Sequence, residues 1–207
     1  MRILILAVAF FLLLPGCESA TFSDNRKSEL NATDAILRQV DSNALASGIP
    51  FAFSIDHSRL AEEAGEVLDA SKVSFYIDSE INSRILDNKI RAGLDLPFRI
   101  LAFYQQGKQG VYYTDADFLR LRHGLDDLSA LAGYDQSLSR LTAGVTAAQA
   151  LDASKVSRDY GIVELESKFG FDESVKRLKQ AILAEGDTVW FHDIDYQQQA
   201  RVNSPSV

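Results

Sequence analysis

An antiparallel β-hairpin is predicted in the middle of the chain. Residues 98–104 and 111–114 form two apolar segments rich in aromatic and branched side chains, and the polar residues 105–110 between them include two glycines. Two such segments joined by a short glycine-containing turn are typical of paired strands. The chain is therefore predicted to contain an antiparallel sheet.

Further strands and helices are predicted on both sides of the hairpin. Apolar segments of strand length occupy residues 51–55 and 73–77, and helical periodicity follows capping residues at several places. The sequence thus predicts an α+β fold in which an antiparallel sheet is backed by helices. The first predicted helix is capped by Thr33 and Asp34 and ends at Gly48. Further helices are predicted at residues 59–64, 79–91 and 115–122.

The composition changes after Gly124. Residues 126–150 are rich in Ala, Leu, Ser and Gln, which favours one or two surface helices. We interpret residues 126–156 as a helical connector. It joins a first domain, predicted at residues 32–125, to residues 157–207.

Residues 157–207 repeat part of the first domain's pattern. A strand is predicted at residues 161–166, a helix at 171–185 and a second strand at 188–194. In both copies a helix, a glycine, an apolar strand and an Ile-Asp pair follow one another. We interpret this as a tandem repeat with an incomplete second copy, which either is truncated or completes the first sheet with the strand at 161–166. The aligned residues are Asp34, Leu37, Val40 and Leu45 in the first copy, and Asp172, Val175, Leu178 and Leu183 in the second.

The first 16 residues are predicted to be an export signal. Arg2 provides a positive start, and residues 3–14 form an unbroken apolar run. Its length falls within the roughly 7–15 residues of a signal peptide and below the roughly 18 that suggest a membrane-spanning helix. Residues 1–16 are therefore predicted to be removed. The polar residues 17–31 would follow as a tether.

The end of this segment, Leu14-Pro15-Gly16-Cys17, resembles the lipobox of bacterial lipoproteins. The resemblance implies cleavage after Gly16 and lipidation of Cys17, which would anchor the chain in the cell envelope. Glu18 follows the cysteine where Asp would favour the inner membrane, and this implies the periplasmic face of the outer membrane. Cys17 is the only cysteine, so no intramolecular disulfide can form.

The charge of the chain limits its partners. The formal net charge is -8 at pH 7, and an anionic surface loses the counterion release that drives binding to phosphate backbones. Nucleic acid is therefore excluded as a partner, and so is an electrostatic attachment to anionic lipid. The expected partners are the membrane, through the lipid anchor on Cys17, and a protein or small ligand.

Four separated motifs resemble the domain of unknown function 302 family. They occur in the family's order within residues 32–125, and the second copy matches only the family's opening half. The resemblance implies an α+β fold with an antiparallel sheet backed by helices. The family has no assigned activity, so the resemblance implies no reaction and no cofactor. The motifs are Ile55-Asp56-His57, Leu94-Asp95-Leu96-Pro97-Phe98-Arg99-Ile100-Leu101, Tyr113-Thr114-Asp115 and Arg122-His123-Gly124-Leu125.

Five residues of these motifs are candidate functional residues: Asp56, His57, Arg99, Asp115 and His123. Two imidazoles and a carboxylate would suit a divalent metal ion or general acid–base catalysis if the motif ends converged. The structural alternative makes both aspartates helix caps and His57 a surface residue. In that alternative Arg99 is an internal ion-pair partner, and His123 is a cation at a helix C-terminus.

The sequence contains no glycine-rich phosphate loop, no nucleophile elbow and no zinc-binding helix motif. The leading hypothesis is therefore a non-enzymatic envelope lipoprotein that binds a small ligand or a partner protein. One alternative is a metal-dependent or acid–base enzyme that uses His57, His123 and Asp56. Another is a structural remnant of a duplicated domain. The sequence identifies no metal site and leaves the cofactor undetermined.

Overall fold

The computed structural model describes residues 18–188 and 190–202. The predicted signal peptide and Cys17 lie outside these ranges. Within them, no helix combines the length and the apolar character that crossing a membrane requires. The helices are α1 Glu18–Ala46, α2 His57–Glu63, α3 Ser79–Asn88, α4 Ala116–His123, α5 Leu128–Leu141, α6 Phe171–Ala184 and α7 Tyr196–Val202, with a 3-10 turn at Ile90–Leu94; the strands are β1 Phe51–Asp56, β2 Ser71–Tyr76, β3 Phe98–Gln105, β4 Lys108–Tyr113 and β5 Ala148–Ala150.

The five strands form one sheet in the order β1-β2-β3-β4-β5. The first four are antiparallel neighbours, as predicted, and β5 pairs in parallel with β4. The predicted hairpin forms, with a turn of two residues, Gln106 and Gly107, that both have positive φ. This backbone matches the twist of the flanking strands and therefore allows the tight connection.

One face of the sheet carries the core. Phe98, Ile100 and Ala102 alternate along β3 and are fully buried, as the two-residue period of a strand requires. They lie in one apolar cluster with Leu37 and Val40 of α1. The sheet is thus backed by helices on this side.

The predicted connector is part of this core. Residues 128–141 form α5, and its helix prediction is correct, but the predicted surface location is wrong. Leu131, Tyr134 and Leu138 recur at helical spacing and are buried, and the Tyr134 ring stacks on Phe98 with a centroid separation of 4.4 Å. The domain therefore extends past residue 125, through α5 to β5.

The predicted tether at residues 18–31 is helical. It belongs to α1, which begins at Glu18 rather than at the predicted cap. Thr33 is an internal helix residue, because its hydroxyl donates to the Glu29 carbonyl one turn earlier, at 3.0 Å. A Thr hydroxyl bonded in this way is typical of a helix interior.

Residues 157–207, which are predicted to be a second copy, form the predicted helix without the predicted strands. α6 agrees with the helix predicted at 171–185, but the strands predicted at 161–166 and 188–194 are absent from the described residues. Val163 and Leu165 are 83% and 86% exposed. A strand needs a partner for its backbone groups, and β5 occupies the sheet edge beside β4, so residues 161–166 do not complete the first sheet.

Candidate functional site

Four charged residues meet near the start of β3, and we name them the Asp95 cluster: Asp95, Arg99, Arg122 and His123. Asp95 lies between the 3-10 turn and β3, and Arg99 is the second residue of β3. Arg122 and His123 are the last two residues of α4, which ends at Gly124 in a left-handed conformation. Such an ending is typical of a helix C-terminus, where glycine adopts positive φ without strain.

The Asp95 carboxylate is the centre of the cluster. It accepts hydrogen bonds from Nη1 of Arg122, at 2.6 and 2.8 Å to its two oxygens, and from Nη2 of Arg99 at 3.2 Å. His123 Nε2 lies 2.5 Å from the second oxygen, Oδ2. The side chains of Asp95 and His123 are 4% and 0% exposed. One buried carboxylate therefore faces two guanidinium groups and an imidazole.

The other ring nitrogen of His123 has no hydrogen-bond partner among the described residues. This atom, Nδ1, is buried. Because the Asp95 carboxylate can only accept, we assign the proton of the neutral ring to Nε2. Nδ1 then offers a lone pair when the ring is neutral and an N–H when it is protonated. A buried polar atom without a partner costs free energy, so we expect a water molecule or a ligand group beside Nδ1.

His123 also lines a cavity of about 220 Å³ beside the cluster. Three cations, Lys89, Arg91 and Arg158, and one carboxylate, Asp159, lie around it. Arg91 pairs with Asp159 at 3.3 Å, whereas Lys89 and Arg158 form no salt bridge within the described ranges. The cavity therefore carries an excess of positive charge.

Arg158 is held over the end of α4. A Cβ atom added at Gly124 would lie 2.9 Å from the guanidinium carbon of Arg158. The carbonyl of Arg122 also accepts from the Asp159 N–H at 2.8 Å, which joins the loop after β5 to the cluster. Four larger cavities, of about 620, 520, 350 and 350 Å³, occur in the described residues, but none of their lining residues has an unpartnered buried polar atom.

A family profile described as "Domain of unknown function DUF302" matches residues 25–145. The chain belongs to the DUF302 family. The DUF302 match contains the whole Asp95 cluster and extends beyond the predicted first domain at both ends, in agreement with the inclusion of α5 in the core.

Comparison with curated proteins found no match for this DUF302 protein. Among solved structures, it is similar to an uncharacterised conserved DUF302 protein from Bacillus stearothermophilus. The two share 13% sequence identity, with a TM-score of 0.44, over 54% of this chain and 86% of the other.

The DUF302 domain carries a second charged cluster around Asp56. Asp56 caps α2 by accepting from the Arg59 N–H at 3.0 Å. Arg59 bridges Asp56 and Asp34, and it lies 2.7 Å from Asp34 Oδ2. Lys72 adds a second cation 3.1 Å from Asp34. These contacts make Asp56 a helix cap within an ion-pair network, as the structural alternative predicts.

Burial acts to raise the pKa of both aspartates in this network. Hydrogen bonds and positive charge from Arg59 outweigh it at Asp56, where the Arg59 backbone N–H and the Ser58 hydroxyl also donate. Arg59 and Lys72 outweigh it at Asp34. The pKa of each carboxyl group therefore lies below its ordinary value, and both stay ionised at neutral pH.

The DUF302 fold keeps the predicted metal or acid–base residues apart. Asp56 pairs in register with Lys72, which pairs with Ala102 of β3. His123 contacts Asp95, just before the first residue of β3. Ala102 lies four residues after the first residue of β3, which is about 13 Å along the strand. No group of three potential metal-ligating side chains occurs in the described residues. The predicted site of His57, His123 and Asp56 does not form.

The remaining candidates have separate positions. His57 is exposed, and Asp115 caps α4 by accepting from the Phe118 N–H at 2.9 Å. Of the five predicted residues, only Arg99 and His123 meet in one site. Asp95, which joins them, is not among the predicted residues, although a carboxylate inside an apolar motif is a signal of a buried, paired charge.

Proposed function

We propose that this protein is a cell-envelope lipoprotein whose DUF302 domain binds a small ligand with an anionic group in the cavity beside His123. The observation that carries the proposal is the buried, unpartnered Nδ1 of a histidine that lines a cation-rich cavity. Asp95 holds the ring in place through Nε2. The free nitrogen is thus positioned without competition from the protein.

The charges around the cavity support an anion rather than a cation. Lys89 and Arg158 are not neutralised by a carboxylate of the described chain, and guanidinium groups bind carboxylate and phosphate with two parallel hydrogen bonds. The volume lies below the roughly 300–1,000 Å³ of sites for drug-sized ligands. A compact carboxylate or phosphate compound that also carries an O–H group fits these properties, because the cations attract its anionic group and Nδ1 of the neutral ring accepts from its O–H.

General acid–base catalysis by His123 is the second candidate. A carboxylate that orients an imidazole through one nitrogen leaves the other free to move a proton, and Asp95 and His123 have this arrangement. Binding is favoured over catalysis because both Asp95 oxygens also accept from Arg122. The carboxylate is therefore shared between the guanidinium group and the imidazole ring.

The envelope location rests on the sequence of residues 1–18. The apolar run and the Leu-Pro-Gly-Cys ending support export and lipidation at Cys17, with Glu18 supporting the outer membrane. Intact mass of the chain expressed with its own signal in a Gram-negative host tests this. We expect residues 17–207 plus three acyl chains, and a Cys17→Ser variant should lack the acyl mass. An unacylated wild-type mass would contradict the anchor.

Titration calorimetry of the full chain with inorganic phosphate and with succinate tests the ligand site. We expect one of these probes to bind, and Arg158→Ala to weaken its binding, because Arg158 supplies charge at the cavity. Arg120→Ala is the matched control, since Arg120 is a surface arginine of α4 that pairs with Asp117 and does not line the cavity. Absence of binding by both anions, or equal weakening by the two variants, would contradict the proposal.

A further inference from the structure

Helix α6 presents an apolar stripe that the described chain covers only in part. Phe171, Val175, Leu178 and Ile182 follow the spacing of one helix face. None of the residues of α6 is buried, and Phe171, Val175 and Leu178 are 81%, 37% and 59% exposed. Water-exposed apolar stripes of this kind mark interaction surfaces.

The stripe corresponds to the core-facing side of α1. One constant interval along the chain relates Leu37 to Val175, Val40 to Leu178 and Ala44 to Ile182. The three residues of α1 are 2%, 0% and 1% exposed, because they pack against the sheet. The apolar pattern of α6 is therefore the pattern of a helix that packs on a sheet.

The sheet has a second face that is only partly covered. We name it the outer face; it carries Phe53, Phe75, Leu101, Phe103 and Tyr112, all half-buried. The rings of Phe53 and Phe75 stack at 4.3 Å and those of Phe103 and Tyr112 at 5.1 Å. One chain thus contains a helix face and a sheet face that are both incompletely covered.

The tail after α6 already reaches one edge of the outer face. The His192 ring lies 4.4 Å from the Phe53 ring, between centroids. Phe53 belongs to the edge strand β1. The His192 ring therefore does not cover the part of the outer face on β3 and β4, which carries Leu101, Phe103 and Tyr112. A helix of 14 residues is about 21 Å long, close to the roughly 26 Å of the eight-residue strand β3.

The charges of α6 argue against a lipid surface as the occupant of its stripe. Each cation of the helix has an acidic neighbour: Arg177 pairs with Glu173 at 2.7 Å, Lys176 with Glu173 at 3.9 Å and Lys179 with Asp193 at 2.6 Å. Binding to anionic lipid relies on cations free to face the headgroups. The net charge of -8 opposes it further.

We propose that the stripe of α6 packs on the outer face of a second copy of this chain. When the stripe of each copy packs on the outer face of the other, the two contacts are identical and the dimer has two-fold symmetry. Both surfaces are then covered and no further copies are added. The proposal does not depend on ligand binding at His123.

Disulfide cross-linking of the full chain in detergent extract tests the contact. Leu178→Cys on the stripe and Phe103→Cys on the outer face are combined, and Gln180→Cys with Phe103→Cys is the matched control on the opposite side of α6. We expect a dimer-mass band on non-reducing gels from the first pair and loss of that band in either single variant. A disulfide within one chain, no cross-link, or equal cross-linking of the control pair would overturn the proposal.

Sedimentation velocity of a Leu178→Asp variant gives a second readout. Because Leu178 is exposed within its own chain, the charge should leave thermal unfolding of the domain unchanged while the dimer mass is lost. A wild-type chain that sediments as a monomer, or a variant that stays dimeric, would overturn the proposal.

Discussion

His123 Nε2 lies 2.5 Å from Oδ2 of Asp95, a carboxylate that also accepts from Arg99 and Arg122. Asp95 is thus the shared acceptor of three nitrogen-bearing groups from β3 and α4. Without the Asp95 carboxylate, β3 and α4 would bring the positive charges of Arg99 and Arg122 together beside the buried His123.

Asp95→Asn should strongly destabilise the domain. The amide removes the negative charge that balances two guanidinium groups, and breaking a buried ion pair by removing one partner costs about 3–5 kcal/mol. Urea unfolding at neutral pH measures the loss. Asp117→Asn is the control, because Asp117 is exposed and pairs with Arg120 alone; a similar loss in both variants would contradict the role of Asp95.

Acid should destabilise the domain through the Asp56 network. The folded pKa values of Asp34 and Asp56 lie below the ordinary 3.8. Such groups stabilise the fold fully above their unfolded pKa, and this stabilisation is lost as the pH falls through the folded value. Asp34→Asn should therefore flatten the fall in the free energy of unfolding below about pH 4. Asp87→Asn, at an exposed carboxyl group without a salt bridge in the described ranges, should keep the wild-type slope.

Alkali should destabilise the domain through buried tyrosines. Tyr76 is fully buried and donates to Asp41 at 2.7 Å; burial and the nearby Asp41 raise its pKa well above the ordinary 10.0. A raised folded pKa gives stability that is complete below the unfolded pKa and is lost as the pH rises toward the folded value.

Tyr76→Phe tests this origin of the alkaline loss. At neutral pH the variant should lose about 1.5–3 kcal/mol, as expected for a hydrogen bond to a charged group. Above about pH 10 its stability should fall less steeply than that of the wild type. Thermal melts across this range measure both effects. Tyr160→Phe, at an exposed ring, should change neither; an unchanged alkaline slope in Tyr76→Phe would refute the assignment.

Gly124→Ala should affect both stability and the cavity. Gly124 and Gly144 have φ of 65° and 72°, but only at Gly124 does an added Cβ meet a side chain, that of Arg158. Each alanine should cost about 1–2 kcal/mol for the left-handed conformation. Only Gly124→Ala should also weaken anion binding in calorimetry, because Arg158 must move; equal affinities for the two variants would count against the role of Arg158.

The antiparallel strands could be predicted because each is a short apolar segment bounded by turn residues, and β3 also has the two-residue period of a strand with one buried face. The depth of α5 could not be predicted in the same way. Its Ala- and Ser-rich composition is that of a surface helix, and only Tyr134 and the leucines at helical spacing face the sheet. The strands predicted at 161–166 and 188–194 satisfy the local pattern, but a strand also needs a neighbour, and a single sequence does not supply that information.

The Asp95 cluster shows a similar limit for functional residues. Asp95 contacts Arg122 and His123 across 27 and 28 residues of chain, so no local motif reveals the contact. The sequence did indicate Arg99 and His123 through the family motifs. It also grouped His123 with His57, because both lie at the ends of predicted elements, and only the structure shows that these ends lie far apart along the sheet.

Helix α1 is continuous from Glu18 to Ala46, so it also fixes the orientation of the domain relative to the start of the helix. Arg26 donates to the Leu68 carbonyl at 2.5 Å, so the helix contacts the domain from about its third turn onward. Residues 18–25 extend from that point as a stiff rod about 12 Å long. The proposed anchor at Cys17 would therefore meet a fixed side of the domain. One residue inserted in this rod would turn that side by about 100° around the helix axis.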